Sequence, residues 1–539
     1  MEIAIIGMAG RFPSSENIEE FWDNMLDGRD CIERQESLHT KKDGVEYINA
    51  YGNMEGIYLF DNALFGISDS EAELMEPQER QFLECAYLAM CDAGYESQER
   101  KETVGVICGE PENEYYLKNR FENADKNGVA FQNEKFHYSG GALVGRVAYK
   151  LNLRGPAIRI DTACSTSLSS VIMAADMIRE GYADMMIAGG TNIDIGQGSY
   201  IHIEGMSSAD GVVRPFDKNS TGMVPGNGVG AVVLKDYNSA LEDGDYIYAV
   251  IKGGYLCNDG NNKIGYTSPS VEGEVRAIEG AMKKSGIESG QIDYIETHGT
   301  ATVLGDAIEL KGIKKVFKRT KNSPLPIGSL KGNFGHLNMA AGIAGIIKGC
   351  LILERQIIPP SINHTETNPE LSEKDYIYIP REKILNSEIS NIGISSFGLG
   401  GMNSHIILSR HDNTCGIKKQ KRNVRLNRKE FILKQKKTEE KKIAPEHIRE
   451  ILGWIITEES GASDFSGEKG FEDCAIESME QIVICSRISQ EFGIEFTMSD
   501  FYECDCIEDI AGIILDKKVM VNKKKIEEFE DIGDLFDEL

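Results

Sequence analysis

Asp161-Thr162-Ala163-Cys164-Ser165-Thr166-Ser167-Leu168 follows a strand-like run, Ala157-Ile158-Arg159-Ile160, and opens a segment, Ser165 to Tyr182, whose apolar positions recur at helical spacing. Cys164 therefore stands where a strand turns into a helix. A thiol there faces unpaired backbone N–H groups and the positive end of the helix dipole, both of which favour the thiolate. That makes it a candidate nucleophile. A single cysteine is more often a small buried apolar residue, so its role is decided by what lies downstream.

The chain has 539 residues, enough for two or more domains, and its 41% hydrophobic and 27% charged content suits a globular protein with a large core. No apolar run reaches the length of a membrane span, and Met1-Glu2-Ile3-Ala4-Ile5-Ile6-Gly7 has neither the basic flank nor the cleavage site of a signal peptide. The twelve cysteines are scattered without a repeated Cys-x-x-Cys pair, which points to no zinc site and no disulfide framework. Reduced thiols and a cytoplasmic location are expected, with no membrane partner. A net charge of −28 argues against non-specific nucleic-acid binding. Charge is uneven: Lys418 to Lys442 holds twelve Lys/Arg against three Glu, and the segment after Ala444 is strongly acidic. Such a basic run reads as a solvated linker at a domain boundary.

Taken in order, residues 3–7 read as a buried strand and Asn17 to Met25 as an amphipathic helix. A long helix within Glu71 to Ala93 is entered through Met75-Glu76-Pro77-Gln78-Glu79-Arg80, where Pro77 suits a first helical turn. Val104–Gly109 and Met185–Gly190 are short apolar strands that end in glycine. Strands alternating with helices imply a largely parallel sheet covered on both faces. Arg214-Pro215-Phe216-Asp217 and the glycines at 222, 226, 228 and 230 precede another strand. No Lys-Ser/Thr follows them, which excludes a phosphate loop. A second βα set runs from Ile247 to Leu408. It contains Tyr294–Thr300 as strand into loop, a helix at Asp306–Val316, Ile327–His336 as strand into loop, and a small-residue helix at Met339–Leu353. These two halves suggest a duplicated architecture, although their sequence identity is too weak to demonstrate it.

Four motifs, Asp161-Thr162-Ala163-Cys164-Ser165, His298-Gly299-Thr300-Ala301-Thr302, Lys331-Gly332-Asn333-Phe334-Gly335-His336 and Ser396-Phe397-Gly398-Leu399-Gly400-Gly401, occur in the order and spacing of the β-ketoacyl synthase (ketosynthase) family. With Met75–Arg80 and Arg214–Asp217, the first 408 residues resemble the ketosynthase domains of multidomain polyketide synthases. The resemblance implies an α/β, thiolase-like αβαβα fold and a homodimer. It implies that Cys164 accepts an acyl chain as a thioester. His298 and His336 would then donate hydrogen bonds to the carbonyl of a malonyl-type thioester as decarboxylation generates an enolate. By the same resemblance Lys331, paired with Glu309, supports the His336 environment. The N–H groups of Cys164 and Leu399 form an oxyanion hole, Leu399 gates the site, and Asp306, Thr300, Thr302 and Phe397 are supporting residues. Ala301 stands where the family usually has glycine, Ala307 where it has proline, and Met402 where it has threonine. Leu399, aliphatic where fatty-acid enzymes often carry an aromatic, suggests a polyketide-type substrate. The chemistry needs no metal.

After the basic run, Glu446–Glu459, a helix through Ile484 and Ile488, and Cys506–Leu515 read as a small acidic three-helix bundle. It resembles an acyl carrier protein whose Asp-Ser-Leu hallmark appears as Glu477-Ser478-Met479, so that Ser478 would carry 4′-phosphopantetheine; a serine at a helix start is otherwise an N-cap. The expected organisation is a ketosynthase domain over 1–410, a basic linker over 411–443, a carrier domain over 444–519, and an acidic tail over 520–539. The tail, Ile526 to Leu539, interleaves acids with Phe and Leu and is either a disordered end or a docking segment.

The leading expectation is an acyltransferase of the condensing type, joining an acyl chain on Cys164 to a carrier-bound malonyl extender. No Gly-x-Ser-x-Gly acyltransferase signature and no dinucleotide loop is present. Extender loading then falls to a separate acyltransferase, and arm attachment to a phosphopantetheinyl transferase. Acyl and malonyl carriers and other assembly-line enzymes complete the expected partners. The alternatives are a decarboxylase that makes starter units and a non-catalytic partner that sets chain length. The presence of Cys164 argues against the last.

Overall fold

The computed structural model describes residues 1–42, 44–112, 115, 142–385, 388–413, 424–432, 445–460, 478–492, 494 and 496–517. The chain divides into two units, Met1–Lys434 and Gln435–Leu539.

Eleven strands of the first unit form one sheet. In chain order they are β1 (Ile3–Arg11), β2 (Val104–Gly109), β3 (Ala157–Arg159), β4 (Met185–Asn192), β5 (Gly228–Asp236), β6 (Ala249–Asn258), β7 (Tyr294–Glu296), β8 (Leu325–Gly328), β9 (Ile377–Tyr378), β10 (Asn391–Phe397) and β11 (Met402–Ser409). Across the sheet they run β9-β8-β7-β10-β11-β6-β1-β5-β4-β2-β3. Counted within each half, both halves follow the same order, third-second-fourth-fifth-first: β3-β2-β4-β5-β1 and β8-β7-β10-β11-β6, with β9 added at one edge.

The directions repeat as well. β2 is parallel to β3 and β4, as β7 is to β8 and β10. β5 is antiparallel to β4 and β1, as β11 is to β10 and β6. β1 and β6 then pair antiparallel across the seam, with Ile3 opposite Ile251. The duplication that sequence identity leaves undemonstrated is thus plain in the topology. The expectation of a largely parallel sheet is corrected, because half of the neighbouring pairs are antiparallel. Parallel pairing is kept where a helix crosses over, as it must be.

The principal helices are α1 (Ile18–Leu26), α2 (Pro77–Ala93), α3 (Thr166–Arg179), α4 (Val271–Ser285), α5 (Val303–Val316) and α6 (Ala341–Arg355). Asn17 caps α1 by accepting from the N–H groups of Glu19 and Glu20, each at 3.0 Å. Pro77 is the first residue of α2, as its fixed φ suits. α3 and α6 pack on each other and on strands of both halves; α2 covers the outer face of the first half, and α4 with α5 that of the second. The result is five layers, α/β/α/β/α.

Leu168, Val171, Ile343, Ile346 and Ile347 are buried in the middle layer, which is why α6 is apolar nearly all round. At the crossing of α3 and α6, a Cβ on Gly342 would lie 2.5 Å from the Leu168 nitrogen. Only glycine permits that approach.

Part of the expected basic linker belongs to this unit. Lys429–Glu430 pairs with Leu59–Phe60, and Phe431 is buried with its carbonyl accepting from Arg80 at 2.8 Å. Arg428 bridges Glu84 at 2.7 Å and Glu16 at 3.0 Å. Buried carboxylates such as Glu84 need cations, and the basic run supplies one.

The second unit holds α7 (Pro445–Ser460), α8 (Ser478–Phe492), α9 (Met498–Tyr502) and a last helix over 507–517. Ile448, Leu452, Ile455, Ile484, Ile488, Ile510 and Ile514 form its core. The expected three helices are joined by the short α9, opened by reciprocal capping between Thr497 and Asp500. The tail from Ile526 and the run from Phe471 to Glu477 lie outside the described residues.

Candidate active site

Equivalent places in the two halves supply the first two groups. Cys164 follows β3 and precedes α3; His336 follows β8 and precedes α6. Before α3 the backbone is forced into a tight turn: Ala163 takes φ +52°, with its N–H held by Asp161 Oδ1 at 2.9 Å. The Ser165 hydroxyl donates to the Thr162 carbonyl at 2.8 Å, and the Ser396 hydroxyl donates to the carbonyl of Cys164 at 2.8 Å. These bonds fix the position of the sulfur. The turn between β10 and β11 packs so closely here that a Cβ on Gly398 would stand 2.1 Å from the Thr162 oxygen, and it carries Leu399 alongside.

The sequence reading favours a thiolate at Cys164 through main-chain N–H groups and the helix end, and the structure adds burial against it. Burial pushes the thiol above its ordinary range, while the Lys331 charge and the main-chain N–H groups of Leu399 and Cys164 itself pull the other way. The sulfur is half-buried and lines the cavity wall. The same two N–H groups are the ones expected in the oxyanion hole. The sulfur also lies 3.6 Å from Asn338 Oδ1.

His298 follows β7. Glu309 on α5 accepts from the His298 and Gly299 N–H groups, each at 2.7 Å, and the Lys331 amine donates to the His298 carbonyl. Lys331 and Glu309 therefore grip the same peptide from opposite ends. The two side chains feel each other's charge, and among the described residues they meet through this peptide rather than in a direct ion pair. Asp306 accepts from Ala301 N–H at 3.0 Å and Phe216 N–H at 2.6 Å, and burial raises its carboxyl to about 8. Ala301 itself is fully buried at φ +61°.

The imidazoles of His298 and His336 are 5.6 Å apart and nearly perpendicular, with Phe397 5.6 Å from His298. Burial, followed by the charge of Lys331, holds both rings well below the usual imidazole range, so both are neutral at pH 7. The Asn338 N–H donates to His336 Nδ1 at 3.2 Å, which leaves the ring proton on Nε2.

One cavity of about 950 Å³ gathers Cys164, His298, His336, Thr300, Thr302, Glu309, Phe397 and Leu399. The Thr300 and Thr302 hydroxyls lie 3.0 Å apart in its wall. Lys331 and Asp306 are buried behind the lining. Ser478 is the first residue of α8 in the other unit. Sequence reasoning missed Asn338, which touches the Cys164 sulfur and sets the His336 tautomer. Its signal was proximity, two residues past His336 in the same loop. It also missed the Ser396 hydroxyl, and Glu274, whose place in an amphipathic helix reads as surface.

A cysteine thiol, two N–H donors beside it and two neutral imidazoles, at the junction of a duplicated five-layer fold, define a condensing enzyme of the β-ketoacyl synthase class. Residues 1–240 match the family described as Beta-ketoacyl synthase, N-terminal domain, and residues 248–365 its C-terminal domain. Residues 446–514 match the family described as Phosphopantetheine attachment site. The chain belongs to the β-ketoacyl synthase family, as a ketosynthase of the polyketide synthase type followed by a phosphopantetheine carrier domain.

Ketosynthase twelve of the bacillaene polyketide synthase from Bacillus amyloliquefaciens is 34% identical with a TM-score of 0.71, covering 76% of this chain and 73% of that one. A phenolphthiocerol/phthiocerol polyketide synthase of Mycobacterium tuberculosis is 36% identical over 429 residues, 75% of this chain and 29% of that protein. Polyketide synthase PksL of Bacillus subtilis is 36% identical over 448 residues, 76% of this chain and 10% of that protein. The chain thus spans less than a third of the length of these two curated relatives.

Proposed function

We propose that the protein catalyses decarboxylative condensation of an acyl thioester on Cys164 with a carrier-bound malonyl-type extender. The observation that carries this reading is the convergence of one thiol, two main-chain N–H donors and two neutral imidazoles on a single cavity.

In the first half-reaction the Cys164 sulfur attacks the acyl carbonyl, a new C–S bond forms, and the departing carrier thiol takes the proton that Cys164 gives up. Oxygen charge develops where the N–H groups of Cys164 and Leu399 can receive it. A resting thiol suits this exchange, since the proton is passed on as the bond is made. In the second half-reaction the extender loses CO₂ and the enolate oxygen accepts from His298 and His336. Each neutral ring has one N–H to give. The carbanion attacks the acyl carbon, and Cys164 leaves and is reprotonated, so each turnover consumes one proton. Lys331 and Glu309 act through the His298 peptide as positioning residues.

Ser478 is the residue we assign to the 4′-phosphopantetheine: a primary hydroxyl at the start of a helix in an acidic unit fits a phosphodiester attachment. When bound, the arm supplies a thiol that presents acyl groups as thioesters. Serving this chemistry we infer a polyketide-type acyl substrate, a separate acyltransferase, a phosphopantetheinyl transferase and other assembly-line enzymes in the cytoplasm. We also infer a homodimer, supported by the exposed edge strand β3.

Intact-mass measurement tests the reading. Incubation with an acyl thioester should add one acyl group to the wild type and none to Cys164→Ala. His298→Ala and His336→Ala should keep the adduct and lose elongation with a malonyl carrier. A wild type that releases CO₂ without elongating would overturn condensation, and one that never acylates would overturn both steps.

A further inference from the structure

Behind the His298 loop the described residues gather buried carboxyl groups: Glu296, Glu309 and Asp306 bear on one buried amine, Lys331, and Glu274 bears on Glu309. Buried charge of one sign is tolerated only when paired. Asp306 has both oxygens occupied by main-chain N–H donors, from Ala301 and Phe216. Glu309 has both occupied by those of His298 and Gly299.

Glu274, on α4, differs. It is 1% exposed, it lines the catalytic cavity, and its Oε2 has no hydrogen-bond partner among the described residues. That oxygen lies against α5, 3.4 Å from where a Cβ on Gly312 would stand, one helical turn from Glu309.

We propose that Glu274 is a positioning residue for condensation, acting through the neighbouring Glu309 on the His298 peptide that Glu309 and Lys331 hold. The proposal rests on the condensing function above. Three elements packed on α4 bring further titratable groups. α5 brings Glu309 and Asp306; β6 and the residue after it bring Cys257 and Asp259, the latter 3.8 Å from Lys263; β11 brings His405. Burial together with Glu309 and Asp259 disfavours the Glu274 anion, and among the described residues no cation bears on it. If Glu274 ionises, its charge beside Glu309 disfavours the Glu309 anion, whose hold on the His298 and Gly299 N–H groups is then weakened. The loss falls on kcat rather than KM, because the group moved is an enolate donor and not a substrate anchor.

Two measurements on the full chain decide this. The first is the pH profile of elongation for wild type, Glu274→Gln and Glu274→Leu, the last read if the glutamine variant fails to fold. Expected is an alkaline fall in wild-type kcat of tenfold per pH unit, moved upward by at least one pH unit in either neutral variant, with KM within twofold.

The second is thermal unfolding against pH. The unfolded glutamate ionises near pH 4.5 while the folded one stays neutral, so the folded state binds the extra proton and is progressively destabilised as pH rises. The variant's Tm advantage should therefore grow from pH 5 to pH 8. An advantage independent of pH, or an unmoved alkaline limb, overturns the proposal. Failure of the underlying function looks different, since wild type then makes no elongated product at any pH.

Discussion

Ala301 shows how one side chain can be tolerated at a conformational cost. A buried alanine at φ +61° carries about 1–2 kcal/mol of left-handed strain, against which glycine's extra unfolded freedom subtracts about 0.5–1 kcal/mol. Ala301→Gly should therefore raise stability by up to about 1 kcal/mol, read from the unfolding midpoint, with Asp306 still holding the residue's N–H. Lys331→Met removes the donor to the His298 carbonyl and leaves the carboxylates behind it uncompensated. Elongation should fall roughly a hundredfold while acylation of Cys164, followed by mass, persists. The neutral imidazoles set a third expectation. Their folded pKa values lie well below the unfolded value near 6.5, so the elongation rate should not fall through imidazole protonation between pH 7.5 and 6. Their contribution to stability, full above pH 6.5, is lost as pH falls below it, because only the unfolded rings take up protons. Cys164, His298, His336 and Lys331 were legible because each sits in a short motif of restricted chemistry. Glu274 and Asn338 were not, since nothing in a local stretch tells a buried carboxyl or amide from a solvated one.

The elements were legible where periodicity was strong. β4 reads as an unbroken apolar run and is buried at every position, and α6 is where its small-residue pattern placed it. What the pattern could not convey was strand direction, because a strand buried on both faces looks alike in a parallel or an antiparallel ladder. α9, only five residues long, escaped for lack of a full period. The α3–α6 crossing is a tight joint between elements that both carry the site. Gly342→Ala places a methyl group where the Leu168 backbone already is, and overpacking of this kind costs about 1–3 kcal/mol or more. We expect a lowered midpoint and slower alkylation of Cys164 by iodoacetamide, as α3 and its preceding turn shift together.

At the scale of the whole molecule the exposed edge matters most. Pro156 and Ile160 bond inward to β2, so the two-residue alternation of a strand sends the main-chain groups of Ala157 and Arg159 outward. An edge left open in this way among the described residues is where a second copy would add a strand. Ala157→Pro, which removes one outward donor, should convert the proposed dimer to monomer in sedimentation, with the isolated fold intact by circular dichroism. The duplicated strand order has a wider implication. The nucleophile and one of its imidazoles are the same structural address, used twice with different chemistry, so their reactions meet only where the two copies touch. Such a catalyst descends most simply from a pair of identical ancestors whose shared groove became asymmetric after their genes were joined. A chain severed near Gly244, between the copies, should on that account regain its thiol reactivity when the pieces are refolded together, and show none of it apart.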